Sequence, residues 1–215
     1  MRDIDIRNVL KPKLAKRFAS SEALIVEELG FLSHAARADV AVINCALHAY
    51  EIKSERDTLE RLDRQSDLYV QQFHYVTIVT AECHLSGVLA TVPATFGIMV
   101  ARRFKNGRIS IADIRKANRT SQAVEKIAHM FWWEEALNVL NRHGLAKGAK
   151  RLKVDQLRAK LLGHFSATQL LAELRIELGL RRACQLRQRQ MKDDGLHQSI
   201  YSCPPIPQEW LSLEL

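Results

Sequence analysis

The sequence has no long apolar segment and few cysteines. None of its hydrophobic runs approaches the ~20 residues that a membrane-spanning helix requires, so we expect no membrane association. Only 4 of the 215 residues are cysteine, at positions 45, 83, 184 and 203. These positions lack the close Cys or His spacing of a zinc site, and we expect each cysteine to be a small buried side chain. The charged N-terminus lacks the apolar core of a secretory signal, which predicts a cytoplasmic protein.

Charge is unevenly distributed along the chain. Residues 1–100 hold 11 Lys and Arg against 13 Asp and Glu, whereas residues 101–192 hold 21 against 7 and carry a net charge of +14. A basic segment of this density predicts a polyanionic partner, and nucleic acid is the first candidate. A helix surface that is basic only to keep the protein soluble would have the same composition.

Two apolar runs between residues 36 and 53 predict adjacent strands joined by a short turn. The first run follows Asp39 and the second surrounds Glu51, with a polar-to-small break at residues 44–46. Antiparallel pairing would bring Asp39 and the Glu51-Ile52-Lys53 segment to one end of a small sheet. The two-residue period of a strand places Glu51 and Lys53 on the same face, with Ile52 on the opposite face.

The residue types in this cluster point to metal-assisted hydrolysis. Two neighbouring carboxylates, with backbone carbonyls nearby, suit a hard divalent cation such as Mg²⁺. A lysine beside them can position or deprotonate a water, or neutralise the charge of a phosphate. The alternative is a surface hairpin whose Glu and Lys pair across solvent, which contributes well under ~1 kcal/mol.

The spacing of these residues resembles that of a known superfamily. Asp39, an eleven-residue gap and then Glu51-Ile52-Lys53 resemble the PD-(D/E)xK superfamily, the restriction-endonuclease-like nucleases. Gln65-x-x-x-Tyr69 resembles the Gln-x-x-x-Tyr element that follows Glu/Asp-x-Lys in RecB-type nucleases. Ala38 departs from the motif because proline usually precedes the aspartate. The chain is also similar to a small bacterial and phage family within that superfamily, which has a Glu-Ile-Lys-Ser motif, an Arg-Leu-x-x-Gln helix and a basic helical C-terminus.

The resemblance implies a fold and a chemistry. The fold would be α/β, with a restriction-endonuclease-like core (a mixed central sheet flanked by helices) and an α-helical C-terminal region. The activity would be that of a Mg²⁺-dependent nuclease acting on DNA, with Mn²⁺ able to substitute. The metal ligands would be Asp39, Glu51 and the Ile52 carbonyl. Lys53 would act on the attacking water, and Gln65 would be an auxiliary polar contact.

A further acid is expected from the element before Asp39. Residues 22–32 are ambiguous between helix and strand; we favour a strand because Gly30 and the turn after it would lead directly into the Asp39 strand. Strict alternation along that strand would put Leu29 on the face opposite Val26. The related nucleases often take an acid from this position, and Glu28 is our candidate, with Glu27 as the alternative. Two solvated acids are nearly as good an explanation.

The rest of the chain divides by composition into a nuclease-like core at 1–118, a basic α-helical region at 119–190 and a Pro-containing extended tail at 191–215. Pro12 predicts an N-terminal helix from about Lys11, with a shorter helical turn before it. The expected elements that follow are a helix from Asp57 to about Phe73, a strand at 75–80, a short helix at 84–91, and a hairpin around Asn106-Gly107. Four basic residues crowd that hairpin as candidate phosphate contacts: Arg102, Arg103, Lys105 and Arg108.

The basic region predicts a helix over 121–143 that ends at Gly144, and two more at 152–162 and 168–187. Trp132 and Trp133 are expected in packing contacts, with base stacking as the alternative. These helices could also form a homodimer or bind a protein partner.

Two other functions are compatible with the sequence. The chain could bind nucleic acid without cutting it, or serve as an adaptor subunit of a repair, phage or defence complex. The sequence leaves undecided DNA against RNA, single against double strand, and end against internal cutting.

Overall fold

Six strands form one mixed sheet in the computed structural model, which describes residues 1–32, 36–120 and 123–193, with backbone only for 185–193. The strands lie in sequence order and are β1 (Leu24–Phe31), β2 (Ala36–Ile43), β3 (Leu47–Lys53), β4 (Tyr75–Ala81), β5 (Gly97–Arg103) and β6 (Ile109–Arg115). The helices are α1 (Asp3–Arg17), α2 (Leu62–Gln72), α3 (Leu85–Thr91), α4 (Glu125–Ala128), α5 (Trp133–Arg142), α6 (Val154–His164) and α7 (Ala167–Asp193). Short 3₁₀ turns occupy Glu82–His84 and Ala149–Arg151. The expected mixed α/β class with C-terminal helices is confirmed.

The pairing pattern places the carboxyl ends of three central strands at one edge of the sheet. β3 pairs in parallel with β4, and β4 in parallel with β5. The pairs β1–β2, β2–β3 and β5–β6 are antiparallel. Because parallel strands end on the same side, β3, β4 and β5 all deliver the residues after them to one edge.

Each face of the sheet covers its own apolar cluster. On one face, Ile6, Leu10 and Leu14 of α1 pack with side chains such as Val40 and Ile52. The other face packs against α2 and the C-terminal helices in a larger cluster that extends from Val26 to Leu178. The sheet is therefore enclosed between α1 and the remaining helices. The core shared by the sheet and the C-terminal helices spans the expected boundary at residue 118, and the division into domains stays a prediction.

The N-terminal helix differs from expectation because it runs unbroken through Pro12. Proline in a helix interior loses one backbone hydrogen bond and costs roughly 3 kcal/mol. Three fully buried side chains, Ile6, Leu10 and Leu14, hold the helix on the sheet. Burial of each contributes about 1.5–3 kcal/mol, enough to offset the proline, which lies on the exposed side.

Strand β1 is a strand as expected, but its alternation breaks at Glu28. Glu28 has a φ of 54°, in the left-handed region that non-glycine residues rarely adopt. As a result Val26 and Leu29, three residues apart, both join the larger cluster. The expectation that Leu29 faces away from Val26 was wrong.

The β5–β6 hairpin and the strand expected at 75–80, which is β4, are confirmed. Three other helix boundaries differ from those expected. Helix α2 begins at Leu62 because the Asp57 carboxylate instead accepts the Ser54 backbone N–H, 2.7 Å away. The helix expected over 121–143 is interrupted between α4 and α5. Helix α7 continues to Asp193 and so passes the expected start of the tail.

Some expectations concern the surface or fall outside the described residues. Cys45 and Cys83 are exposed, which contradicts the expectation that they are buried. Across the described helices, none combines the length and the hydrophobicity needed to cross a membrane. The prolines of the expected tail, at 204, 205 and 207, lie outside the described residues.

Candidate functional site

Asp39 lies where β2 and β3 separate. The ladder between these strands pairs Val40 with Tyr50 but does not continue to Asp39 and Glu51. Beyond that point, the Asp39 carboxylate accepts the backbone N–H of Ile52 through Oδ2 at 2.7 Å. A side chain thus replaces a strand carbonyl, and it ties β2 to the end of β3 beyond their last paired residues.

Glu51 and Lys53 lie on the same face of β3, as the strand period predicted. The Lys53 amino group donates to Glu51 Oε1 and to Gln65 Oε1, both at 2.8 Å. Gln65 Nε2 also donates to Glu51 Oε1 at 3.1 Å. Both ionisable side chains are largely buried, 6% exposed for Glu51 and 10% for Lys53. Glu51 and Lys53 therefore form a buried ion pair that Gln65 of α2 holds in place. The alternative interpretation predicted a solvated pair.

Tyr69 is both a core residue and part of this network. Its ring packs against Phe31 and Phe73. Its hydroxyl donates to Glu51 Oε2 and lies 3.2 Å from the carbonyl oxygen of Arg37. Burial and the Glu51 charge raise the pKa of the Tyr69 hydroxyl well above its usual value, so it remains a donor. Both carboxylate oxygens of Glu51 consequently have donors.

Asp39 is the most electrostatically perturbed carboxyl of the cluster. Burial, followed by the negative charge of Glu51, raises its pKa to about 7, although the Ile52 N–H and the Arg7 cation act in the opposite direction. A group poised near neutral pH in a charged cluster is typical of functional sites, and also occurs in structural networks.

Arg7 is a part of the site that sequence reasoning missed. Its side chain is 9% exposed and its Nη2 lies 3.0 Å from Asp3 Oδ1 and 3.4 Å from Asp39 Oδ1. The Arg7 guanidinium also pairs with Glu28. The four-residue spacing of Asp3 and Arg7 was visible in the sequence. Nothing local indicated that α1 would pack with this arginine against β2.

Glu28, the expected auxiliary acid, pairs with arginines. Besides Arg7, its Oε2 lies 2.6 Å from Nε of Arg37. The alternative, Glu27, contacts Lys11 of α1. The role of Glu28 near a metal stays a prediction, as does that of the Ile52 carbonyl.

The donors of Asp39 and Glu51 fit a divalent cation chemically. Two carboxylates whose repulsion contributes to a raised pKa gain from a nearby positive charge, which favours their ionised forms. Among the described residues, no three or more His, Cys, Asp or Glu side chains are grouped as a metal site. A cation bound by Asp39 and Glu51 would complete its shell with carbonyl, water or phosphate oxygens, as Mg²⁺ commonly does.

The four basic residues of the β5–β6 hairpin are exposed at the same edge of the sheet. Arg102 pairs with Glu82 at 2.9 Å, and Arg103 pairs with Asp5 of α1 at 3.0 Å. In the described part of the chain, no acidic side chain forms an ion pair with Lys105 or Arg108. The hairpin therefore carries two arginines that are held in ion pairs, and two cations, Lys105 and Arg108, that have no described acidic partner.

Many arginines of the basic helical region have internal partners. Arg181 holds both oxygens of Glu135, at 2.8 and 2.6 Å, and lies 3.7 Å from the ring centroid of Trp132. Arg142 pairs with Glu173 and with Glu177. The net charge of this region thus overstates the number of cations available to a polyanion. Trp133 donates its Nε1–H to the Leu152 carbonyl at 2.8 Å, which agrees with the expected packing role.

Fold and site together define a mixed α/β protein with an acid–lysine cluster at the carboxyl edge of its sheet. The family described as bacteriophage P4 protein cII matches residues 3–177, and the chain belongs to this family. A curated relative, Protein cII of Enterobacteria phage P4, is 31% identical over 147 residues, which are 67% of this chain and 55% of the relative. The chain therefore spans about half the length of the curated relative it matches.

One solved structure is also similar, at a low level. It is the SPO1766 protein of unknown function from Silicibacter pomeroyi, 16% identical, with a TM-score of 0.42 over 68% of this chain and 94% of that one. A similarity of this size supports no conclusion about fold or function.

Proposed function

We propose that the chain is a Mg²⁺-dependent nuclease that hydrolyses phosphodiester bonds in DNA. The observation that carries the proposal is the contact of Lys53 with Glu51 and Gln65, next to a carboxyl, Asp39, that is poised near neutral pH. A lysine held against one buried carboxylate, with a second, partly buried carboxylate on the adjacent strand, is a set of groups suited to metal-assisted attack on a phosphate.

The order of elements supports the same proposal. From the N-terminus the chain runs helix, three antiparallel strands, helix, and a strand parallel to its neighbour. We propose that this unit corresponds to the restriction-endonuclease-like core implied by the resemblance. In such a core, the candidate aspartate and the Glu-x-Lys segment lie on two adjacent strands, and here Asp39 lies on β2 and Glu51 on the neighbouring β3.

In the proposed reaction each residue has a separate task. Asp39 and Glu51 would bind the metal, which on binding supplies Lewis acidity to the phosphate and acidity to a water. Lys53 would hold the attacking water and offset phosphate charge, and Gln65 would keep the lysine amino group in place through its 2.8 Å contact. Tyr69 would fix the orientation of Glu51 through its hydroxyl.

The test is cleavage of plasmid and single-stranded DNA in Mg²⁺ or Mn²⁺ by wild type, Asp39→Asn and Lys53→Met. Asp113→Asn and Lys16→Met are matched controls because both residues lie away from the cluster, at β6 and at the last turn of α1. We expect wild type and controls to cleave, and the two site variants to lose at least about a hundredfold in rate, the usual scale for a missing acid–base or charge-stabilising group. Equal cleavage by wild type and Lys53→Met, with folding verified by circular dichroism, would overturn the proposal.

A second function, nucleic-acid binding without cleavage, is favoured by one observation. Both oxygens of Glu51 already accept hydrogen bonds from the protein, from Lys53 and Tyr69, which is how a purely structural ion pair would be satisfied. Calorimetry distinguishes the two functions. DNA binding with steep salt dependence and no Asp39-dependent Mg²⁺ binding would favour the second function.

A further inference from the structure

The tip of the β5–β6 hairpin holds an exposed aromatic side chain in a fixed position. Phe104 is 51% exposed. Its backbone N–H donates to the Arg108 carbonyl at 2.8 Å, and its own carbonyl accepts the Gly107 N–H at 2.9 Å. Gly107 has a φ of 82°, which glycine adopts at little cost, so the turn closes tightly. The ring is thus presented to solvent from a rigid backbone.

Four basic residues flank Phe104 along the hairpin. Lys105 and Arg108 lie within the turn, and Arg102 and Arg103 immediately precede Phe104. Ion pairs with Glu82 and Asp5 hold the two arginines of β5 in place. The described acidic side chains form no ion pair with Lys105 or Arg108, so two cations at the tip remain available for a ligand. An exposed aromatic ring flanked by unpaired cations is the combination of groups that binds an unpaired nucleic-acid strand.

The hairpin tip and the Asp39 cluster share one edge of the sheet. Lys53 pairs with Thr80, and Thr80 pairs with Val100, so Lys53 and Val100 lie on one row across three strands. Phe104 is four residues beyond that row, or roughly 13 Å along the strand, and two strand spacings of about 4.8 Å to the side. The separation of about 16 Å corresponds to roughly five nucleotides of a strand with B-form rise.

We propose that the hairpin tip binds single-stranded DNA, with Phe104 stacked on an unpaired base and Lys105 and Arg108 on adjacent phosphates. This inference takes nucleic acid as the substrate class of the proposed function, but it does not require cleavage. Proteins commonly bind unpaired strands without sequence preference by combining aromatic rings with nearby cations. A closed duplex offers no free base face to Phe104, so its paired region would lack this contact.

The experiment measures binding of a fluorescein-labelled oligonucleotide of thymidines by anisotropy, in EDTA and over a range of salt concentrations. All proteins carry Asp39→Asn, so that no cleavage interferes. Phe104→Ala should weaken binding about tenfold with an unchanged salt slope, because base stacking is sequence-tolerant and uncharged. Lys105→Ala and Arg108→Ala should each reduce the slope of log K against log salt by about 0.7, the value for one phosphate contact on a single strand.

Two matched variants control for general surface effects. Ile114→Ala removes another exposed hydrophobic side chain of the same hairpin, 48% exposed on β6. Lys16→Ala removes an exposed lysine from the far end of α1. Both should bind as the parent does. On a duplex closed at both ends by loops of a non-nucleotide linker, Phe104→Ala should have no effect.

Three outcomes would overturn the inference. They are Phe104→Ala binding within twofold of Ile114→Ala, an equal loss on the closed duplex, and absence of DNA binding at low salt, which would point to a protein partner. Failure of the proposed nuclease is distinguishable. If wild type never cleaves but oligonucleotide binding depends on Phe104, the hairpin inference stays intact. If wild type cleaves but oligonucleotide binding does not depend on Phe104, the hairpin inference alone is refuted.

Discussion

Arg7 and Asp39 meet across the sheet edge, with Nη2 of the arginine 3.4 Å from Oδ1 of the aspartate. The arginine belongs to a helix on one face of the sheet and the aspartate to the second strand. Asp3 and Glu28 bind the same guanidinium. The Arg7 cation is therefore shared among several carboxylates, although Glu28 has a second partner in Arg37. Asp39 receives only part of the Arg7 charge, and burial raises the pKa of Asp39 to about 7.

Asp39→Asn should stabilise the metal-free protein above neutral pH. The folded pKa of about 7 exceeds the ordinary aspartate value of 3.8, so between these values the native state binds more protons than the unfolded state. Stability from this group is present at low pH and falls as pH rises through the folded pKa, by up to about 4 kcal/mol. Asn keeps an oxygen for the Ile52 N–H. Urea unfolding from pH 4 to 8 should show the variant gaining on wild type as pH increases.

Asp113→Asn is a control for which the expected pH dependence of stability has the opposite sign. Burial acts to raise the pKa of Asp113, but the hydrogen bond and charge of Arg17, together with Lys13, lower it below its usual value. Its stabilising contribution is therefore present above the unfolded pKa and lost in acid. This variant should be less stable than wild type at pH 7, and the two should converge as pH falls. Parallel pH curves for Asp39→Asn and wild type would contradict the assigned burial of Asp39.

Arg7→Met should raise the pKa of Asp39 further. The arginine charge lowers this pKa at present, and methionine retains the packing volume without the charge. Carboxyl ¹³C chemical shifts followed against pH in the metal-free protein measure the change, and we expect the titration of Asp39 to move to higher pH.

Lys11→Met is the matched control on the same helix. Lys11 pairs with Glu27, not with Asp39. Its removal should leave the titration of Asp39 where it is in wild type. A shift of the same size in both variants would mean that docking of α1, not the Arg7 charge, sets the titration.

Tyr69→Phe should lower stability and leave the fold in place. The hydroxyl donates to a buried carboxylate oxygen of Glu51, and loss of a hydrogen bond to a charged group costs about 1.5–3 kcal/mol. Thermal and urea unfolding measure the loss. Under the proposed function the cleavage rate should fall, but far less than in Lys53→Met. An unaltered stability would mean that the hydrogen bond from the Tyr69 hydroxyl to Glu51 makes no net contribution to the free energy of unfolding.

Glu135→Gln should loosen the C-terminal helices without affecting the sheet. Glu135 accepts two hydrogen bonds from Arg181 and also the Trp132 N–H, at 2.9 Å, which starts α5. Leaving the buried Arg181 without its counter-charge costs a few kcal/mol. Hydrogen exchange should accelerate in α5 and α7 while β3 and β4 keep their protection. Uniform acceleration would show that these helices and the sheet unfold together.

Local patterns predicted the parts of the site that lie on neighbouring strands. Strand period and a short turn suffice to bring Glu51 and Lys53 to one face and Asp39 to the same edge. The role of Arg7 could not be predicted from local patterns, because its contact with Asp39 spans 32 positions and depends on how α1 packs on the sheet. The left-handed Glu28 was equally hidden, because neither glycine nor asparagine marks the position.

The break before α5 shows how tertiary contacts override a helical pattern. Apolar spacing continues through this segment, yet the carbonyls of His129 and Phe131 accept hydrogen bonds from Arg158, at 3.1 and 2.9 Å. Arg158 belongs to α6. A partner that arrives from a later helix is not encoded in the periodicity of the segment it interrupts.

Because helices cover both faces of the sheet, the Asp39 cluster is complete only when the helices on both faces are in place. Arg7 reaches it from α1 on one face, while Gln65 and Tyr69 reach it from α2 on the other. A chain in which either helix has detached would retain its strands but lose part of the cluster. In such partially opened states the Asp39 cluster should therefore lose its function. A spectroscopic measurement of strand content would still count these states as native.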